Sequence, residues 1–241
     1  IGPRISTVNE LISGFSDFHQ AEKLQLIAEL YEVFKYHTQT KESFDEFYFW
    51  GEILLADFND VDQYLVNAKD LFTNIADLKE LETLFDYLTE QQKQALAKFW
   101  GSVSILEKKE YQQKFMRVWQ KLFPVYTDFK KRLKNKGWAY GGMIYRSVIE
   151  NTEEIKFEFN HYYIVGLNAL NRCEVEFFKQ MKHKQIAAFL WDFDDFYIAD
   201  QKNEAGHFLR DNLKLFPAPE DFILTTHTFE RNKTIQLVAV A

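Results

Sequence analysis

The feature that most constrains this sequence is a change of period near residue 155. Before it, apolar residues recur at helical spacing in one segment after another; after it, short aromatic and β-branched runs alternate with helical ones. From Gln20 to Tyr36, the residues Leu24, Leu26, Ile27, Leu30, Tyr31, Val33 and Phe34 form one face, leaving Glu22, Lys23, Glu29 and Glu32 mostly outside. Ser43 followed by Glu46 is a capping box that opens the run FDEFYFWGEILLADF. Its apolar residues cover most of a helix circumference, so this helix is expected to be buried. Further helices are expected at Asp60–Thr73, Thr89–Val103 and Lys108–Lys134, the last kinked or split at Pro124 and stopped by Gly137, with a shorter one at Tyr140–Glu150.

The second grammar places strands at Phe157–Val165, Ala187–Phe193 and Ile235–Val240, with helices at Asn171–Met181 and Asn203–Leu213 between them. Strands separated by helices over such connections point to a parallel sheet. The segment PRISTVNELISGF opens with a β-like piece, Arg4 to Thr7, followed by a helix capped by Thr7 or Asn9. The expected organisation is therefore a partial α/β core of residues 1–20 and 153–241, interrupted by a helical subdomain over 21–152. The chain begins without Met and ends on the strand-like IQLVAVA, and it reads as a piece of a longer protein.

Charge divides along the chain in the same way. From Glu42 to Glu90 there are 13 acids against two lysines, a net of −11; from Lys108 to Lys136 there are 10 basic residues against two acids, a net of +8. The overall −7 conceals a local positive potential. Lys130, Lys131, Arg132, Lys134 and Lys136 form either a solvated face or a contact to nucleic-acid phosphates. Nearby Trp138, Tyr140 and Tyr145 either stack bases or belong to the core. The one cysteine, Cys173, permits no internal disulfide and no cysteine zinc cluster, and it fits a reducing, cytoplasmic setting. No apolar run approaches the roughly 20 residues of a membrane span.

Nucleotide chemistry is poorly provided for. A phosphate-binding loop ends in Gly-Lys-Ser/Thr, and the sequence contains no Gly-Lys pair. A magnesium-holding strand ends in Asp; here HYYIV runs into Gly166 and Leu167. In FLWDFDDFYI, Asp192, Asp194 and Asp195 fall at a strand end, where α/β proteins place ligands. A metal-dependent phosphohydrolase using Asp192 and Asp194 is one reading; carboxylates capping the following turn are the plainer one. The histidines show no i, i+4 pairing that would suggest a metal site, and no cofactor is expected.

Several segments in order, FDEFYFWGEILLADFNDVDQYLVNAKDLFTNIADL, YGGMIYRSV, YYIVGLNALNRCE, FLWDFDDFYI and EAGHFLRDNLKLFP, resemble bacterial AddB-like proteins of the PD-(D/E)XK nuclease family. The N-terminal part of such proteins is similar to superfamily 1 helicases. The resemblance implies a P-loop-NTPase-like parallel sheet with an inserted helical subdomain, in which Gly166-Leu167 stands where an active helicase has Asp-Glu. It implies a segment without ATPase activity in an exonuclease that processes double-strand ends, the nuclease acids lying in a C-terminal domain outside this sequence. It further implies single-stranded DNA, the other domains of the same protein and a helicase-nuclease subunit as partners, with no membrane. Thr7, Lys130, Lys131, Arg132, Lys134 and Arg146 are then the expected phosphate contacts. A protein-interaction scaffold, using the acidic aromatic helices between Phe44 and Phe72, is the alternative.

Overall fold

The computed structural model describes residues 2–73 and 108–222, and its chain divides into two compact units, Ile1–Glu153 and Glu154–Ala241. The described residues form a mixed α/β protein, mostly helical, with two small parallel sheets. The expected helix Thr89–Val103 and strand Ile235–Val240 lie outside the described residues.

In the first unit, α1 (Val8–Ser13) is opened by Thr7, whose Oγ1 accepts the Glu10 amide while the Glu10 carboxylate accepts the Thr7 amide. No strand forms over Arg4–Thr7. The strand of this region is instead β1 (His19–Gln20), paired in parallel with β2 (Trp138–Ala139). His19 and Gln20, within the 1–20 segment expected to belong with 153–241, make this pairing inside the first unit. Next come α2 (Lys23–Thr38), α3 (Phe44–Gln63), α4 (Ala68–Thr73), α5 (Lys108–Asn135) and α6 (Gly141–Glu150). The Ser43–Glu46 box opens α3 as expected. The helix expected over Asp60–Thr73 is two pieces, because Leu65 adopts a left-handed backbone (φ 54°) that ends α3 and separates it from α4. Likewise α5 runs unbroken through Pro124 and is ended by Gly137 at φ 69°.

The core of this unit is aromatic. Phe58 meets Tyr126 edge-on at 5.1 Å, and Phe129 stacks on Tyr140 with ring centroids 5.9 Å apart. Tyr140 and Tyr145, which sequence left open between base stacking and core, are both core. The helix α3 is not buried all round: Phe47, Gly51, Leu55, Phe58, Val61 and Asp62 make its buried stripe, while Phe49 remains 54% exposed. Helices α3 and α6 approach closely at Gly142, whose amide donates to Asn59 Oδ1 at 2.7 Å. That bond caps an N-terminus for which Tyr140 offers no side-chain acceptor.

In the second unit, β3 (Tyr162–Val165) pairs in parallel with β4 (Ala187–Leu190), joined by α7 (Arg172–His183); α8 (Asp195–Ala199) and α9 (His207–Leu215) follow. Phe177, Phe178, Met181 and Cys173 of α7 are fully buried. Phe216, just beyond α9, stacks on Phe189 at 4.6 Å, and its carbonyl accepts the Trp191 indole N–H at 2.7 Å.

Candidate functional site

The most organised polar group of the first unit surrounds Asp62, a fully buried carboxylate near the C-terminal end of α3. A bare buried carboxylate is strongly unfavourable, so its partners decide whether the unit folds. It accepts the Tyr126 hydroxyl of α5, the Tyr140 hydroxyl at 2.5 Å, the Lys130 ammonium at 2.8 and 2.9 Å, and the Arg146 guanidinium of α6 at 3.2 Å. Arg146 also donates to the Val66 carbonyl at 3.0 Å and the Glu150 carboxylate at 2.9 Å. One carboxylate thereby ties together three helices and the turn after α3. Burial, reinforced by the Asp62 charge, holds both phenols well above their ordinary pKa. Burial also draws the Lys130 ammonium down, against the opposing pull of Asp62.

This network redistributes the expected phosphate contacts. Lys130 and Arg146 point inward to Asp62. Arg132 pairs with Glu29 of α2, which also accepts Lys136 at 2.5 Å. Thr7 uses its hydroxyl as a helix cap. Lys131 and Lys134, three residues apart on α5, are exposed, and among the described residues neither enters an ion pair. The structure thus brings Lys130 and Arg146 together around an acid, and turns Lys131 and Lys134 toward solvent. Asp62 itself escaped the sequence reading, although its helical phase, shared with Phe47, Leu55 and Phe58, was the available signal.

In the second unit, the sequence-marked positions lie at the C-terminal ends of the two parallel strands. After Val165 the chain turns through Gly166 at φ 73° and Leu167; the Asn168 carbonyl then accepts the buried Asn212 amide of α9, and Asn171 caps α7. After β4, Asp194 accepts the Phe196 amide and opens α8, which is the turn-capping role. No group of three or more metal-ligating side chains occurs among the described residues. The loop between α8 and α9 is held by Arg210, whose guanidinium donates to the carbonyls of Tyr197, Asp200, Gln201 and Asn203.

Fold and geometry define a helix-rich mixed α/β protein with a carboxylate-centred helical unit and a small parallel βαβ unit; no helix among the described residues is long and apolar enough to cross a membrane. Comparison of the chain with models of protein families, with curated proteins and with solved structures returns no match.

Proposed function

We propose that the chain is an ATPase-motif-deficient, helicase-like segment of an AddB-like helicase-nuclease, and that it guides single-stranded DNA while double-strand ends are processed. The observation that supports the ATPase-deficient part of this reading is the end of β3. A parallel βαβ unit offers its strand ends to a ligand, and here the first strand leads into Gly166 and Leu167, neither of which has an oxygen-bearing side chain to hold magnesium. The partial P-loop-like core, the inserted helical subdomain and the exonuclease activity of a C-terminal domain belong to the same proposal. DNA contact falls first to Lys131 and Lys134, two exposed lysines near the C-terminal end of α5. The reading is tested by titrating labelled single-stranded DNA at two salt concentrations. Affinity that drops steeply with salt supports it; no binding at low salt ends the DNA part.

A second reading, an interaction scaffold without DNA binding, is favoured by one observation: Lys130, Arg132 and Arg146 are neutralised within the chain. Co-purification with a protein partner, unaffected by charge reversal at Lys131 and Lys134, would support it.

A further inference from the structure

The helix α3 carries two stripes, and among the described residues the core of its unit uses one of them. Opposite Phe47, Leu55 and Phe58 lie Phe49, Ile53 and Asp60, at spacings of four and seven residues that keep them on one side of the helix, and Tyr64 follows as the residue that caps its C-terminal end. Phe49, Ile53 and Tyr64 are 54%, 39% and 56% exposed. An aromatic and aliphatic row on the outside of a 20-residue helix is what an interface leaves when its partner is absent.

The charge around this row states what the partner carries. Helix α3 contains six acids and no lysine or arginine. Asp62 is buried and Glu52 is paired with Lys23, which leaves Asp45, Glu46, Asp57 and Asp60 turned to solvent. Asp57 and Asp60 also line a cleft of about 380 Å³ whose walls include Leu54, Val61, Leu71 and Leu122. Although Asp57 reaches solvent, partial burial and then the neighbouring Asp60 push its carboxyl up to about 6, and a cation placed there would face two adjacent acids at once. Nucleic acid is repelled by such a face. So is a second copy meeting it α3 against α3, since carboxylates would oppose carboxylates.

We propose that the outer stripe of α3 docks a basic amphipathic helix of a partner protein, its apolar residues covering Phe49, Ile53 and Tyr64 and its lysines or arginines facing Asp57 and Asp60. This is helix-on-helix recognition, with apolar anchors at helical spacing for affinity and flanking charges for selection. It does not depend on whether α5 contacts DNA.

The test titrates the full chain with a labelled synthetic helix bearing leucine on one face and lysine on the other, and with its counterpart in which glutamate replaces lysine, followed by fluorescence anisotropy. The lysine peptide binds and the glutamate peptide does not. The double variant Phe49→Ala with Ile53→Ala weakens binding about tenfold or more. Both side chains are exposed, so circular dichroism of that variant matches the parent. Glu204→Gln with Asp211→Asn, exposed acids of the second unit, leaves affinity within about twofold. Equal binding of the two peptides, or equal loss in the two double variants, overturns the proposal. Concentration-dependent sedimentation of the chain alone, abolished by Phe49→Ala with Ile53→Ala, would assign the face to a second copy and overturn it as well.

Discussion

The ammonium of Lys130 stands 2.8 and 2.9 Å from the two oxygens of Asp62, so a lysine from the most basic stretch of the chain neutralises an acid from the most acidic one. Lys130 cannot both hold Asp62 and present its charge to a phosphate. The local sequence of α5 looks like a polycationic surface, but packing divides it into an inward lysine and an outward pair. Asp62 loses less by burial than a lone carboxylate, because it accepts hydroxyls from Tyr126 on α5 and from Tyr140 at the start of α6, and cations from Lys130 and Arg146 on packed helices.

Asp62→Asn is expected to destabilise the first unit by about 3–5 kcal/mol, since the substitution keeps the shape but leaves Lys130 and Arg146 as partly buried cations without their shared acid. Lys130→Met should cost less, about 1–3 kcal/mol, because Asp62 retains two tyrosines and Arg146. Urea unfolding followed by circular dichroism measures both. A midpoint for Asp62→Asn equal to that of the parent would remove Asp62 from its central place.

Stability should fall as pH rises above about 10. Tyr126 and Tyr140 are held above their ordinary value of 10.0 by burial and then by the Asp62 charge. In the window above 10.0 the unfolded chain releases these protons and the folded chain keeps them. The fold binds more protons, and each tyrosine costs about 1.4 kcal/mol per pH unit there. Lys130, drawn below 10.5, acts with the opposite sign below that value and contributes no further slope above it. Urea midpoints between pH 9 and 11.5 should therefore decline, and Tyr126→Phe should flatten the decline. A parallel decline in Tyr126→Phe would contradict the assignment.

What could be read in the sequence was local. The Ser43–Glu46 box, the Gly137 stop and the alternation of β3, α7 and β4 depend on residues close together in the chain, and period and capping chemistry report on those directly. The environment of Asp62 depends on partners 64, 68, 78 and 84 residues away, which no window of sequence contains. The apolar circumference of α3 overstates its burial for a related reason. Counting apolar residues around a helix measures what can be buried, whereas packing partners decide what is, and within the described residues they cover one side. The segment Arg4–Thr7 failed as a strand because the Thr7 backbone and hydroxyl are taken up by the capping box with Glu10. The clamp made by Arg210 had no sequence signature either, since all of its acceptors are main-chain carbonyls.

Gly142→Ala should destabilise the first unit by about 1–3 kcal/mol or more. An added Cβ would run into the Asn59 carbonyl, a backbone atom inside α3 that cannot swing aside like a side chain. The clash also threatens the 2.7 Å bond that caps α6. Gly141→Ala is the matched control, because its Cβ would meet only Asn59 Oδ1 at an ordinary 3.6 Å. Equal thermal midpoints for the two variants would show that the helices can separate without loss.

The division of α5 into inward and outward cations gives the DNA reading its sharpest test. Each phosphate contact to a single strand contributes about 0.7 to the slope of log affinity against log salt. Replacing Lys131 and Lys134 with alanine should lower that slope by about 1.4 if both touch phosphates. Lys130→Met should leave the slope unchanged, because that ammonium is already bound to Asp62 in the free protein. Arg132→Ala should behave like Lys130→Met, since Glu29 holds the Arg132 charge together with that of Lys136. Slopes that fall for Lys130 and Arg132 but not for Lys131 and Lys134 would mean that DNA binding rearranges the ion pairs of the first unit. The outward face of α5 would then not be the contact.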